Sequence, residues 1–267
     1  ALPISTLIFA LLMLSSNTKN YYIRLILRSH ILFVRMILIP VIFVIIRILK
    51  GLKHFYLSIL IDLKALSMSA SNGFKPKFSI IMPIYNVELW LEEAIESVIN
   101  QEGISFKDDV EILLMNDCSP DNSDKICYKY ASQYPQNIRY YKNPTNLRLS
   151  ATRNRGILLA QGKYINFFDP DDVLSKNVLR EVFSFFEKNS NDIAHVSIPL
   201  VFFEAASGLH PKSKILGNKN RIVDLSEEPS NFILSSASSF YLREKILNKT
   251  FDTSLFGEED TLFNFNL

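Results

Sequence analysis

The sequence predicts an α/β fold built on a mostly parallel sheet, and three observations support that prediction. Between residues 78 and 189, short apolar runs typical of buried strands alternate with stretches whose apolar residues recur at helical spacing. Such alternation is typical of a parallel sheet covered by helices on both faces. Polar and acidic residues follow several of the apolar runs, which is where open α/β sheets bind their ligands.

The elements can be read in order from these patterns. The first strand covers residues 78–82, and Leu91, Ala94, Ile95 and Val98 then mark one face of a helix. The later predicted strands are residues 110–115, 138–141 and 164–168. Two further helices are predicted at residues 121–134 and 150–161, the second with Ser150 as its cap and Gly162 just past its end. A last helix is predicted after Ser175, with an apolar face formed by Leu179, Val182, Phe183 and Phe186.

Length and charge divide the chain. Its 267 residues suffice for one α/β domain of about 200 residues with an appendage. The net charge of +2 conceals an asymmetry, because residues 1–73 carry eight Lys and Arg against one acid, while the remainder carries 21 basic and 26 acidic side chains. This pattern favours a membrane surface over nucleic acid as the partner of the basic segment. Two cysteines without a C-x-x-C pair argue against a disulfide framework or a zinc motif.

Three regions are expected. Residues 1–65 form an apolar, basic helical segment with membrane contact, residues 66–77 are a linker rich in Ser, Asn, Gly and Pro, and residues 78–267 form the folded domain. The apolar run at residues 31–46 would reach about 24 Å as a helix, less than a hydrocarbon core of about 30 Å. It could span the membrane, lie on its surface, or pack against another domain.

The strongest candidate for a ligand site is an acidic cluster. Asp169, Asp171 and Asp172 directly follow the apolar run YINFF. Three neighbouring carboxylates repel one another unless a cation or hydrogen-bond donors neutralise them, and Mg²⁺ or Mn²⁺ suits such oxygen ligands. The alternative is a solvated turn whose acids cap the next helix.

Other polar residues lie where the predicted strands end. Tyr85 could stack on a nucleobase or simply close the core, and residues 116–121 could bind a ligand or form only a turn. Three arginines, Arg148, Arg153 and Arg155, surround a predicted helix start, where they could hold phosphate, order the acidic loops, or form a solvated basic face. The acids at residues 258–260 could be catalytic or could complement a helix dipole.

Four motifs in order then carry a resemblance: FSIIMPIYN, EILLMNDCSPDNS, NLRLSATRNRGILLAQGKYINFFDPDD and FGEED. With them, the chain resembles the family 2 glycosyltransferases, which have the GT-A fold, a Rossmann-like, mostly parallel architecture. The resemblance implies a nucleotide-sugar site formed by Pro83, Tyr85, Asn86, Asp117, Arg153, Asn154, Asp169 and Asp171. In that site Asp117 would contact the nucleobase, Asp169 would lie near the ribose, and Asp171 would meet the metal and the diphosphate, with Asp172 supporting that loop. The resemblance also implies that Asp260, beside Glu259, is the catalytic base.

The implied reaction is an inverting transfer of a sugar from a nucleoside-diphosphate donor, most simply a UDP-sugar, to an acceptor hydroxyl on a glycan or lipid-linked molecule. Mn²⁺ or Mg²⁺ is the expected cofactor, and cell-surface polysaccharide or glycolipid synthesis at the cytoplasmic face of a membrane is the expected setting. No nucleic-acid partner is expected.

Two positions depart from the family pattern. Arg148 stands where relatives often carry Gly, so either the loop is held differently or Arg148 reaches a ligand. The family normally continues well past the Glu259-Asp260 pair, so we expect a truncated domain.

Two other functions remain open. A nucleotidyltransferase also uses paired carboxylates and a metal, but it normally carries a Gly-rich, basic loop after the first strand, and PIYNVELW has neither feature. A nucleotide-binding, catalytically incomplete domain associated with a membrane is the non-enzymatic alternative.

Overall fold

The computed structural model describes residues 73–189, 193–199, 201–202, 208–209, 235–255, 257 and 259–265. The predicted helical segment at residues 1–65, its membrane contact and most of the predicted linker lie outside the described residues. The three domain boundaries therefore stay predictions. Among the residues that are described, no helix is both long enough and apolar enough to cross a membrane.

A six-stranded sheet forms the centre of the domain, in the order β3-β2-β1-β4-β8-β5. The first four strands of that order are parallel, and β8 runs antiparallel to both β4 and β5. A separate two-stranded sheet pairs β6 with β7. The strands are β1 Phe78–Ile84, β2 Val110–Asn116, β3 Ile138–Lys142, β4 Tyr164–Phe167, β5 His195–Ser197, β6 Val201–Phe202, β7 Gly208–Leu209 and β8 Ser239–Leu242.

Helices connect the parallel strands, as the alternating pattern predicted. All four residues that mark the apolar face of the first helix are buried. In the helix after β4, Leu179, Val182 and Phe186 are buried and Phe183 packs against the core. The helices are α1 Leu91–Ile99, α2 Phe106–Asp109, α3 Ser123–Gln133, α4 Arg148–Leu159, α5 Val178–Lys188, α6 Arg243–Ile246 and α7 Glu259–Phe265.

The central strands are buried on both faces. Every residue of β1 and β2 is buried, which is why these strands read as continuous apolar runs instead of alternating patterns. The chain runs outward from β1 to β2 and β3 and then returns to β4 on the other side of β1. The carboxyl ends of β1 and β4 lie at this reversal, which is the usual ligand position in such sheets.

The predicted start of α4 is wrong. The helix begins at Arg148 and not after Ser150, which lies buried within its first turn. The reason is a cap from another part of the chain, because the Asp117 carboxylate accepts the backbone N–H groups of Leu147 and Arg148, each at 2.8 Å. A side chain outside the helix thus satisfies donors that a local Ser cap would otherwise have to satisfy.

Candidate active site

The acidic cluster forms a turn at the carboxyl end of β4. The Asp172 N–H donates to the Asp169 carbonyl at 3.1 Å, which closes the turn, and the side chains of Asp171 and Asp172 are exposed. Burial raises the pKa of Asp169 to about 6; Arg153 opposes that rise, and the neighbouring acids add to it. Since 36% of the Asp169 side chain is exposed, its carboxylate remains accessible to a ligand.

Arg153 is the buried centre of the site. It lies on α4, and only 2% of its side chain is exposed. Its Nη1 atom donates to Asp260 Oδ1 at 2.6 Å and lies 3.6 Å from Glu259 Oε1, while Nη2 donates to Asp169 Oδ1 at 3.3 Å. One guanidinium group therefore brings together three acids that are predicted to be site residues.

The predicted catalytic acids begin α7. Glu259 is buried and its Oε2 atom accepts the Gly257 N–H at 2.9 Å. Asp260 keeps 24% of its side chain exposed and accepts two hydrogen bonds from Ser236, one from the backbone N–H at 3.1 Å and one from the hydroxyl at 2.9 Å. Of the two acids, Asp260 is the more accessible to an acceptor.

Asp117 lies in a second network. It is 4% exposed, and in addition to capping α4 its Oδ1 atom accepts the side-chain amide of Asn143 at 2.7 Å. The same Asn143 amide donates to Thr152 at 3.0 Å. Asp117 thus holds the loop between β3 and α4 in place, and its contact with a nucleobase stays a prediction.

The backbone of Arg148 adopts a conformation that suits Gly, the residue that the resemblance leads us to expect at this position. Its φ angle is 70°, in the left-handed region that favours Gly. Its N–H donates to Asp117 Oδ2 at 2.8 Å and to Asn146 Oδ1 at 3.0 Å. The loop therefore adopts a conformation suited to Gly although Arg occupies the position.

The residues after β1 present an aromatic ring at the same edge of the sheet. Pro83 is buried within β1, whereas Tyr85 is 49% exposed and Asn86 has a φ angle of 57°. The Asn86 N–H donates to the Ser119 hydroxyl at 2.8 Å, which joins this loop to the one after β2. The exposed ring of Tyr85 is available for stacking on a base.

Asn154 connects α4 to the chain that precedes α7. Its amide nitrogen donates to the Phe251 carbonyl at 2.9 Å, and its amide oxygen accepts the Phe251 N–H at 2.7 Å. Phe251 stacks on Phe263 of α7 with ring centroids 3.9 Å apart. Asn154 thereby helps to hold α7, and its contact with a nucleotide stays a prediction.

The acidic turn suits a divalent cation that is shared with a ligand. Across the described part of the chain, no group of three His, Cys, Asp or Glu side chains converges to hold a metal by protein ligands alone. Mg²⁺ and Mn²⁺ sites commonly combine one or two carboxylates with substrate phosphates and water. Burial and, after it, the neighbouring Asp171 carboxylate raise the pKa of Asp172. A cation at this turn would relieve the repulsion between the two carboxylates.

The sequence analysis did not identify three residues that contact the site residues. Ser236, Phe251 and Asn143 hold Asp260, Arg153 and Asp117 respectively, with the Arg153 guanidinium 5.3 Å from the Phe251 ring centroid. None of the three belongs to a recognisable motif. The only available signal was the position of Asn143 directly after a strand.

Comparisons with known proteins agree with this architecture. Residues 79–249 match the sequence profile of Glycosyl transferase family 2. The crystal structure of S. aureus TarS 1-349 superposes with a TM-score of 0.61 at 25% identity, covering 71% of this chain and 54% of that one. The complex of the same protein with UDP-GlcNAc gives the same TM-score and identity, covering 71% of this chain and 52% of that one. The predicted GT-A fold is confirmed.

Curated relatives are similar over the same region. The minor teichoic acid biosynthesis protein GgaB of Bacillus subtilis (strain 168) is 43% identical over 196 residues, which are 72% of this chain and 21% of that protein. The poly(ribitol-phosphate) beta-glucosyltransferase of Bacillus spizizenii is 30% identical over 191 residues, 71% of this chain and 29% of that protein. The chain thus spans less than a third of either relative. Because the profile match covers more than half of its length, the chain belongs to glycosyl transferase family 2.

Proposed function

We propose that this domain transfers a sugar, with inversion of configuration, from a UDP-sugar to a hydroxyl group of a cell-surface polymer. The observation that carries the proposal is the contact of one buried guanidinium group with both Asp169 and Asp260. Asp169 belongs to the turn predicted to hold the donor, and Asp260 is the predicted base. Because both acids contact Arg153, they lie close to each other, which supports a single site formed by the donor turn and the base.

The donor part of the proposal rests on the loops at the carboxyl edge of the sheet. Tyr85 offers an exposed ring to a base, and the acidic turn offers carboxylates to a diphosphate through a shared cation. Asp171, which is exposed, would hold Mn²⁺ or Mg²⁺. The cation would neutralise the negative charge that develops on the leaving diphosphate. The S. aureus TarS complex with UDP-GlcNAc supports UDP as the nucleotide.

The catalytic part rests on Asp260. In the proposed reaction its carboxylate removes the proton from the acceptor hydroxyl while that oxygen attacks the anomeric carbon. The bond from the anomeric carbon to the diphosphate breaks on the opposite face, so the configuration inverts. Arg153 and Ser236 orient the carboxylate with three hydrogen bonds. General-base assistance of this kind is typically worth about 10² to 10⁴ in rate.

The acceptor is proposed from the relatives. GgaB and the B. spizizenii enzyme are named for teichoic acid biosynthesis and for poly(ribitol-phosphate) glucosylation. We therefore propose a hydroxyl of a polyol-phosphate polymer as the acceptor, at the cytoplasmic face of the membrane. The basic composition of residues 1–73 suits that location.

Calorimetric titration of the full chain with UDP, in Mn²⁺ and in EDTA, tests the donor site. We expect binding in Mn²⁺ that is lost in EDTA and in Asp171→Ala. Glu187→Gln is the matched control, because this exposed acid pairs with Lys163 just before β4, at the opposite edge of the sheet. Binding that survives both EDTA and Asp171→Ala would remove Asp171 and its cation from the proposal.

A transfer assay tests the base. With a panel of UDP-sugars and a polyol-phosphate acceptor, Asp260→Asn is expected to lose about 10²-fold or more in turnover while it binds UDP normally. Normal turnover in Asp260→Asn would exclude it as the base. A wild-type chain that binds no UDP and transfers no sugar would contradict the proposed function itself.

A further inference from the structure

Arg153 is buried more completely than a ligand-binding arginine needs to be. Its side chain is 2% exposed, and its Nε atom has no hydrogen-bond partner within the described part of the chain. Removing a charged group from water is costly, and replacing a buried ion pair with apolar residues often leaves a protein equally stable or more stable. A contribution to stability therefore does not by itself account for Arg153.

The guanidinium group fixes the separation of two carboxylates. Its two terminal nitrogens belong to one rigid plane, and one donates to Asp260 while the other donates to Asp169. A planar fork of this kind holds both partners in a defined geometry, which the single flexible charge of a lysine cannot do. The turn after β4 and the carboxylate on α7 are thereby held by the same side chain.

Ser236 completes the arrangement around Asp260. A carboxylate has about four positions that accept hydrogen bonds, and Arg153 and Ser236 occupy three of them. Within the described part of the chain, Oδ1 accepts from the guanidinium group and from the Ser236 hydroxyl, while Oδ2 accepts only the Ser236 N–H. One lone pair of Oδ2 therefore remains for the proton of an acceptor.

Helix α4, which carries Arg153, also holds α7 through aromatic contacts. The Arg153 guanidinium group lies 5.3 Å from the centroid of Phe251, whose backbone is held by Asn154 and whose ring stacks on Phe263. Adjacent residues of α4 thus hold α7 by charge and by packing. The position of Asp260 is set by α4 and not by its own helix alone.

We infer that Arg153, with Ser236, is a positioning residue that couples the donor turn to the catalytic base, and that it acts without touching the donor. The inference rests on the proposed function and deepens it. Arg153 holds the Asp169 turn and the Asp260 carboxylate as one unit. The carboxylate is therefore already oriented toward the acceptor when a donor binds at the turn.

The kinetic test compares Arg153→Lys and Ser236→Ala with the control Lys163→Met, whose exposed amine lies at the opposite edge of the sheet. We expect Arg153→Lys to lower kcat about 10²-fold, as a base displaced by about 1 Å would, and Ser236→Ala to lower it by a smaller factor. The donor KM and the calorimetric UDP affinity should stay within about threefold of wild type, which corresponds to less than half of the free-energy change of a tenfold loss of affinity. Lys163→Met should leave all three quantities unchanged.

Two results would overturn the inference. A loss of UDP affinity as large as the loss of kcat/KM would mean that Arg153 contacts the donor, and an unchanged kcat would mean that it positions nothing. The link itself is tested without activity by a double-mutant cycle of Arg153→Lys and Asp260→Asn in urea unfolding. Non-additive effects on the free energy of unfolding support the link between Arg153 and Asp260, and additive effects refute it. This test is independent of the proposed function, which a wild-type chain that binds no donor would contradict.

Discussion

Replacing Arg148 by Gly is expected to stabilise the protein, because Arg148 adopts a left-handed backbone conformation with a φ angle of 70°. That conformation costs a residue with a Cβ atom about 1–2 kcal/mol. Gly avoids this cost but loses about 0.5–1 kcal/mol more backbone freedom on folding. Taking the middle of each range, the net gain in the free energy of unfolding from relieving the strain is about 0.5–1 kcal/mol.

Arg148 takes part in a further interaction, so the effect of the strain must be measured against a second variant that also lacks the guanidinium group. Arg148→Ala removes the same guanidinium group but keeps the Cβ atom. The difference between the Gly and Ala variants isolates the backbone effect, while both retain the N–H that donates to Asp117.

Thermal and urea unfolding of the two variants provide the assay. For a domain of this size a gain of 0.5–1 kcal/mol raises Tm by about 1–4 °C. Arg148→Asn should retain part of the gain, because Asn tolerates the left-handed region better than most residues. A Gly variant no more stable than the Ala variant would refute the argument that this loop is strained.

Three further predictions follow from the fold. Gly162→Ala should destabilise the domain by about 1–3 kcal/mol in urea unfolding, because the new Cβ atom would lie 2.6 Å from the Ser79 nitrogen; an unchanged midpoint would contradict this close approach. Asp117→Ala should cost about 1–3 kcal/mol, because it removes the acceptor of the Leu147 N–H and one of the two acceptors of the Arg148 N–H; faster hydrogen exchange at the start of α4 would report it. Burial against Tyr241 lowers the pKa of His195 to about 4, so the unfolded chain binds a proton at this residue more readily than the folded chain as pH falls below about 6.5. We therefore expect His195 to lower the free energy of unfolding by about 1–2 kcal/mol between pH 7 and pH 5. A His195→Gln variant with the same pH dependence of unfolding would refute this prediction.

Much of the fold could be predicted from local patterns. Apart from the short α2, which was not predicted, the strands and helices from Phe78 to Lys188 lie within a few residues of their predicted bounds, because burial on one or both faces imposes a regular spacing on apolar residues. The start of α4 was misplaced for a physical reason as well. Its cap is supplied by Asp117 from another loop, and a cap that is distant in sequence leaves no local signal.

The site was predicted in part. Asp169 and Asp260 were identified as candidates, and the structure brings both to Arg153. Ser236 was missed, because its role depends on its position beside Asp260 and not on a motif. The contacts of all the predicted site residues with a nucleotide, a metal ion or an acceptor remain predictions.

The sequence by itself determined most of the strands and helices between residues 78 and 188, the acidic residues after β4 and the family to which the chain belongs, since these follow from short-range spacing and from motifs. Only the tertiary structure decided that Arg153 is buried between Asp169 and Asp260, the latter 107 residues away along the chain. The reason is that sheet order and the packing of α7 against α4 place these side chains together. Such long-range proximity depends on the whole fold, and no single segment of sequence encodes it.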